Sequence, residues 1–467
     1  MTPWRPSLAS PWTRPDMERI LEDALRVLAE IGVECRQPVM VERLAARFGS
    51  YADPRVRFDP KRVRAHLEAT RARALKGAAG SDDEEFSLGG CWAGINYCDP
   101  ETQAVRPARS DECAQMCRLW DAREIAGVVP VVPGDVPPEI QTLAAERIAL
   151  KNSRRLGGCL PVLDAEEARY LIDMNLAAGR RYVLAEQICI SPLRFNDRGI
   201  ETALAFLENP AVEVALWGFI PMAGASCPLD PRSAVVQSVA EELAHSMAAD
   251  ALGLPQSGFE LGVSPFDFQY GLIVFGSPEW CLYRTLAVQM GAFLNGGRPV
   301  RRGAFRSTAK GPDEQAACER TATVLWQALL GARRFGAVGQ LSVDEVFSPQ
   351  QAVIDREILA YVARLLRGME VQPGPDSVEL IREGVAQGSF AGVADTVERF
   401  RDFCTFPDLF RRWNVERWRA DREPTILGEA WARAKEEIAR SAHRLPPDLE
   451  KRIDAIYSKA VQHVRAR

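Results

Sequence analysis

Histidine is scarce in this chain: four residues among 467, His66, His245, His443 and His463, none of them in an H-E-x-x-H or H-x-H arrangement. That shortage argues against a histidine-built metal centre, and no metal site is expected. Cysteine is present but unorganised, eleven residues with no C-x-x-C pair, so neither a disulfide framework nor a zinc ribbon is expected. Cys113 and Cys117 stand four apart on an expected helix and share a face, which suits small core residues. No apolar run approaches the ~20 residues of a membrane-crossing helix. The best stretch, 212–225, is interrupted by Glu213, Gly218 and Pro221. The opening MTPWRPSLASPW lacks an apolar signal core, and a cytoplasmic protein is the simplest expectation. An excess of charge is missing too. With 58 basic against 63 acidic side chains, a net −5 and no Lys/Arg tract, nucleic acid is not expected as the main partner. Neither a G-x-G-x-x-G fingerprint nor a Walker loop is present, which removes the usual nucleotide-binding open sheets.

What remains is the composition of a packed globular protein, 47% hydrophobic and 26% charged. From residue 16 apolar side chains recur at Ile20, Leu21, Ala24, Leu25, Leu28 and Ile31, a helical period that ends at Gly32. Helical patterns follow at 39–48 and 60–76, and then SDDEEFSLGGCWAGINYCDPETQAVRPA alternates around Asp99-Pro100 like a β-hairpin. Residues 1–110 are therefore expected to form an α+β extension. After Ser110 short apolar runs (127–132, 156–161, 182–191, 213–221, 256–263, 299–305 and 335–343) alternate with helical stretches (138–153, 165–178, 199–208, 231–252, 278–295, 313–334 and 349–367). That rhythm predicts an α/β protein with a parallel sheet, either open or closed into a (β/α)8 TIM-type barrel. The number of units favours the barrel, placed over 111–375, with an eighth strand at 370–372 or in a poorly marked segment. Residues 376–467 read as a C-terminal helical extension whose last two amphipathic helices are separated by Leu445-Pro446-Pro447. Their apolar faces are compatible with a homo-oligomer.

In a closed barrel the chemistry sits at the C-terminal ends of the strands. The residues there are Glu186, Gln187 and Ser191; Trp217, Phe219 and Met222; Phe259, Glu260 and Asp267; and Arg302, Phe305, Arg306, Ser307 and Lys310. Val214, Leu216 and Ile220 share an aliphatic face suited to packing on helices, which turns Trp217 and Phe219 inward. Such aromatics, with Phe259, Phe266, Phe268 and Phe305 at comparable positions, either fill the barrel or line a pocket for a methylated ammonium through cation–π attraction. Glu186, Glu260 and Asp267 interrupt apolar stretches, so each is either paired with Arg301, Arg302 or Lys310 or functional.

The blocks PMAGASCPLDPRSAV, FDFQYGLIVFGSPEW, STAKGPDEQAACE and FSPQQAVIDREI, with DPETQAVRPA, CISPL and FPDLFRR, resemble the trimethylamine methyltransferase-like (MttB-type) corrinoid methyltransferases from the first helix to the last. The resemblance implies a (β/α)8 barrel that moves a methyl group from a methylated amine to the cobalt of a corrinoid carried by a separate partner protein, with no cofactor held tightly by this chain. The founding trimethylamine enzymes carry pyrrolysine. This chain has none and is similar to the branch that uses quaternary amines such as glycine betaine, proline betaine or carnitine.

On that reading Trp217 and Phe219 enclose the cation and Glu260 or Asp267 supplies the counter-charge. Gln187, Ser191 and Ser307 orient the substrate, and Arg302, Arg306 or Lys310 binds a substrate carboxylate. Two departures stand out. Residues 392–396 read GVADT where the family shows a histidine-containing G-H-x-H-T, and 267–271 read DFQYG where it shows D-M-R-T-G. They leave open two alternatives: methyl transfer to tetrahydrofolate or a thiol, with Cys189 and Cys227 as conceivable thiols, and a non-catalytic barrel that binds quaternary amines.

Overall fold

The computed structural model describes residues 8–77, 85–90, 92–158, 160–218, 220–369 and 376–466. The chain opens with α1 (Arg14–Arg26), whose cap is reciprocal: Thr13 accepts from Asp16 N, and Asp16 accepts from Thr13 N at 3.0 Å. A π turn leads into β1 (Val33–Glu34), followed by α2 (Pro38–Phe48), β2 (Gly49–Ala52), β3 (Arg55–Phe58) and α3 (Pro60–Lys76). Ile20, Leu25, Met40 and Leu44 of these helices share one apolar core with Val239, Leu243 and Met247 of a later helix. The N-terminal part is therefore held by burial against the rest of the chain rather than by a core of its own.

Three short strands come next: β4 (Ser87–Leu88), β5 (Asn96–Cys98) and β6 (Val105–Pro107). β5 and β6 are the expected hairpin, closed where the Asp99 carboxylate accepts from the Glu101 and Thr102 amides, each at 3.0 Å. β4 does not belong to it. It runs parallel to a strand from near residue 335, far down the chain.

The strand-then-helix alternation follows: α4 (Ser110–Ala122), α5 (Gln141–Asn152), α6 (Ala165–Ala177), β7 (Tyr182–Ile190), β8 (Arg194–Phe195), α7 (Asp197–Phe206), β9 (Val212–Gly218), β10 (Met222–Ala223), α8 (Pro231–Ala251), β11 (Ser264–Asp267), β12 (Leu272–Ile273), α9 (Pro278–Leu294), β13 (Arg302–Ala304), α10 (Glu314–Leu329), β14 (Arg334–Gly336), β15 (Gln340–Leu341), β16 (Val346–Phe347) and α11 (Pro349–Arg367). The helix starts are written locally. Asp59-Pro60, Asp230-Pro231, Ser277-Pro278 and Ser348-Pro349 each place a capping side chain before a proline at the first helical position. The C-terminal part is helical: α12 (Ser377–Gln387), α13 (Ala394–Phe403), α14 (Val415–Ala420), α15 (Ile426–Arg440) and α16 (Pro447–Arg465).

The parallel sheet is present in pieces. β7 pairs in parallel with β9 from Tyr182↔Val212 to Cys189↔Gly218, across a bulge after Gln187. β13, β14 and β4 form a second parallel set, and Gly127↔Leu156 is a single parallel bridge. The hydrogen bonds therefore define several small sheets, not one closed ladder. Residues 256–263, expected as a strand, form none. Pro255 and Pro299 lack the N–H that a ladder needs. The Arg284 guanidinium takes the carbonyls of Leu261 and Arg302, each at 3.1 Å, so a side chain joins these two segments where strand amides would. The expected eighth strand at 370–372 and the inward Phe219 lie outside the described residues. β14 has parallel neighbours on both sides, β13 and β4, and β4 lies ahead of the expected boundary at 110. No described helix is long and apolar enough to cross a membrane.

Candidate functional site

The β7–β9 pairing sets Gln187 beside Trp217 on one sheet face, while Leu216 on the other face packs into the core containing α8. Trp217 lines a cavity of about 700 Å³ between β9, α8 and the 255–262 segment. Glu260 and Arg302 line it as well, with the Arg302 Nη1 to Glu260 Oε2 distance at 3.7 Å and Arg284 Nη2 at 4.0 Å from Oε1. The structure thus brings three sequence candidates together: an indole, a carboxylate and a guanidinium. Phe259 lies beside them, 2% exposed, with its amide donating to Asn295 at 2.9 Å.

α8 adds residues that sequence reasoning passed over. It is buried on most of its surface, so the run Glu241, Glu242 and His245 in an alanine-rich helix was the available signal. Glu242 accepts the Glu260 amide at 3.1 Å. His245 Nδ1 faces Gln256 Nε2 at 3.2 Å and Glu242 at 3.6 Å, while its buried Nε2, in the lining of the same cavity, has no hydrogen-bond partner. Burial pushes the Arg284 guanidinium down and leaves its Nε without a partner. A cavity edged by such groups has polar hydrogen-bonding capacity to offer an occupant. Among the described residues no three His, Cys, Asp or Glu side chains are grouped to hold a metal.

Most of the other candidates are engaged elsewhere. The Ser191 hydroxyl donates to Glu241 at 2.6 Å. Asp267 closes the β11–β12 turn, accepting from Gln269 N at 2.7 Å and Tyr270 N at 3.0 Å. Met222 sits in a tight turn where its amide donates to Ser226 Oγ at 2.8 Å. Phe305 is wholly buried, 6.1 Å from Phe335 between ring centroids and under the Arg320 guanidinium at 4.9 Å. Arg306 pairs with Asp344 and stacks 4.3 Å over Phe275. Ser307 donates to Glu319 at 2.8 Å, and Lys310 Nζ to the Thr308 carbonyl at 2.6 Å. Phe268 is exposed and meets Phe266 edge to face at 5.3 Å. Glu186 is desolvated, which raises it to about 7 against the pull of Arg198, and its Oε1 has no partner. Cys189 and Cys227 are buried and pushed up, Cys227 to about 12, the wrong direction for thiolate nucleophiles.

The sequence profile of the trimethylamine methyltransferase (MTTB) family matches residues 7–463. The chain belongs to that family. A trimethylamine methyltransferase, MttB2, of Methanosarcina mazei is 31% identical over 244 residues, 51% of this chain and 48% of its own length. The trimethylamine methyltransferase MttB of Methanosarcina barkeri is 29% identical over 244 residues, with coverage of 51% and 48%. That of Desulfitobacterium hafniense is 24% identical over 323 residues, 66% of this chain and 63% of its own. The chain thus spans about half the length of the Methanosarcina relatives in these matches. In this family member the segment at 392–396 caps a helix: Val393 is buried at the start of α13, and Asp395 pairs with Arg399 at 3.0 Å. The acid kept at Asp267 holds a turn.

Proposed function

We propose that this chain is a methyltransferase that removes a methyl group from a quaternary or other methylated amine, such as a betaine, and delivers it to the Co(I) corrinoid of a partner protein. The supporting observation is one cavity, in a member of the MTTB family, lined together by Trp217, Glu260 and Arg302. We read the parallel segments as the wall of a (β/α)8 barrel, with β4 as an added strand, flanked by the N-terminal part and by the helices from 376 onward.

The chemistry asks little of protein acids and bases. When the C–N bond of a quaternary ammonium breaks, the electron pair stays on nitrogen and the leaving group is a neutral tertiary amine, so no proton has to be supplied. A Co(I) corrinoid supplies the nucleophile. In this reading it is held by its own protein, so this chain needs an open mouth rather than ligands, and a cavity of about 700 Å³ reaching the surface fits that need. The chain's own residues have three tasks. The Trp217 face binds the cation in place of water. Glu260 balances its charge from one side. Arg302, whose side chain is 74% exposed, reaches a substrate carboxylate. Holding the methyl group in line replaces a search in solution with a fixed approach.

The test is spectroscopic. The purified chain is incubated with Co(I) cobalamin and a panel of methylated amines (glycine betaine, proline betaine, carnitine, trimethylamine and tetramethylammonium), with conversion to methylcobalamin followed by absorbance. Transfer from at least one of them is expected. Absence of transfer from all of them, together with turnover when tetrahydrofolate replaces cobalamin, overturns the corrinoid reading.

A further inference from the structure

Trp92 was in no set of candidate residues, yet it is the side chain that Trp217 touches. The two indoles meet edge to face, centroids 5.5 Å apart and planes at 74°. They arrive from different sheets: Trp217 is the penultimate residue of β9, paired with β7, and Trp92 follows β4, paired with β14. A right-angled pair of rings makes a corner with two electron-rich faces. That shape suits a tetrahedral methylated ammonium better than a single flat face does. Trp92 is 39% exposed and adjoins the cavity through its contact with Trp217 rather than lining it.

A buried network holds the backbone that carries this indole. Gln340 Nε2 donates to the Trp92 carbonyl at 2.9 Å and to the Pro130 carbonyl at 2.8 Å. Two carbonyl acceptors use both amide protons and fix which way the amide points. The Gln340 backbone is clamped in turn, because Arg320 donates to its main-chain carbonyl and to that of Ala337, the latter at 3.0 Å. Arg320 Nε donates to Asp355 Oδ1 at 2.7 Å, with both side chains fully buried. Asp355 also accepts from Gly339 N at 2.7 Å and Gln351 Nε2 at 2.9 Å. The clamped loop is costly: Ala337, Ser342, Val343 and Asp344 all have φ between +51 and +70, where a side chain is disfavoured. A buried ion pair and its hydrogen bonds are the kind of surroundings that hold such a loop in one conformation.

We propose that Trp92 is the second wall of the seat for the methylated ammonium and that Gln340, clamped by Arg320 and Asp355, is the positioning residue that sets it against Trp217. The proposal rests on the reading of this cavity as a methylated-amine site.

Two measurements on the full chain test it. Paired indoles give an exciton couplet in circular dichroism. The wild type should show it, Trp92→Phe and Trp217→Phe should each abolish it, and Gln340→Met should weaken it while a cooperative thermal melt is retained. Calorimetry with tetramethylammonium is the second measurement. Trp92→Leu and Gln340→Met should weaken binding about tenfold, and Trp92→Phe less, because an aromatic face remains. Gln340→Met with couplet and affinity both unchanged overturns the positioning role. Trp92→Leu with wild-type affinity overturns the second wall. Should Gln340→Met fail to fold, the partly exposed Trp92 variants still decide the second wall. Wild-type protein that shows the couplet but binds no methylated ammonium defeats the functional reading and the seat with it, while the hold of Gln340 on Trp92 is still judged by the couplet.

Discussion

Ser191 Oγ donates to Glu241 Oε2 at 2.6 Å, and both residues are buried between the end of β7 and α8. Glu241 also accepts from Leu193 N at 2.8 Å and Gln237 Nε2 at 3.0 Å; burial raises its carboxyl and these donors oppose the rise. Removing one donor leaves a buried acceptor short of a partner. Ser191→Ala is therefore expected to cost about 1–3 kcal/mol in urea unfolding and to leave amine binding unchanged by calorimetry. A raised KM with unaltered stability would return Ser191 to the substrate.

Glu260 stands differently. Its side chain is 46% exposed and its ion pairs are long, so Glu260→Gln is expected to change stability by less than about 1 kcal/mol. If Glu260 faces the substrate cation, the same variant lowers kcat/KM by about tenfold for a quaternary amine. Equal kinetics in variant and wild type would remove it from the site.

Glu186 carries a pH signature. Desolvation raises it from 4.5 to about 7. Between those values the folded state holds the proton more tightly than the unfolded chain does, so this group's contribution to stability falls as pH rises through the window. Glu186→Gln removes that dependence. It should match wild type near the lower end of the window and be more stable above its upper end, by on the order of 1 kcal/mol after allowance for solvent screening. Melting curves across pH check this, and parallel curves for the two proteins would contradict it.

Phe305 is predicted to matter through packing. It is fully buried beside Phe335 and under Arg320, so Phe305→Ala should cost about 3–5 kcal/mol by denaturant titration. A change in affinity for tetramethylammonium without that loss would place Phe305 in the pocket instead.

Much of the fold was legible because its signals are local. The dipeptides Asp59-Pro60, Asp230-Pro231, Ser277-Pro278 and Ser348-Pro349 mark helix starts, and the expected helices at 60–76, 231–252 and 349–367 are α3, α8 and α11 almost to the residue. The alternation of Val214, Leu216 and Trp217 set Leu216 on the core and left the indole to meet Trp92, although all three residues edge the same cavity. Strands were read less well. The run at 256–263 looks like a strand by composition, but its neighbouring carbonyls are satisfied by the guanidinium of Arg284, a residue more than twenty positions away. Ser191 and Ser307 were chosen because they follow apolar runs, and nothing in their own neighbourhood announced that Glu241 and Glu319 would take their hydroxyls.

Local chemistry along the chain was enough to place the helices, the Asp99 hairpin and the family blocks, since caps, turns and periodicity act over a few residues. The partner of Trp217 was decided only in three dimensions. Trp92 reaches it because β4 pairs with β14 some 250 residues away and because Gln340 holds its carbonyl. Those contacts follow from which backbone groups lacked a local partner and had to find a distant one.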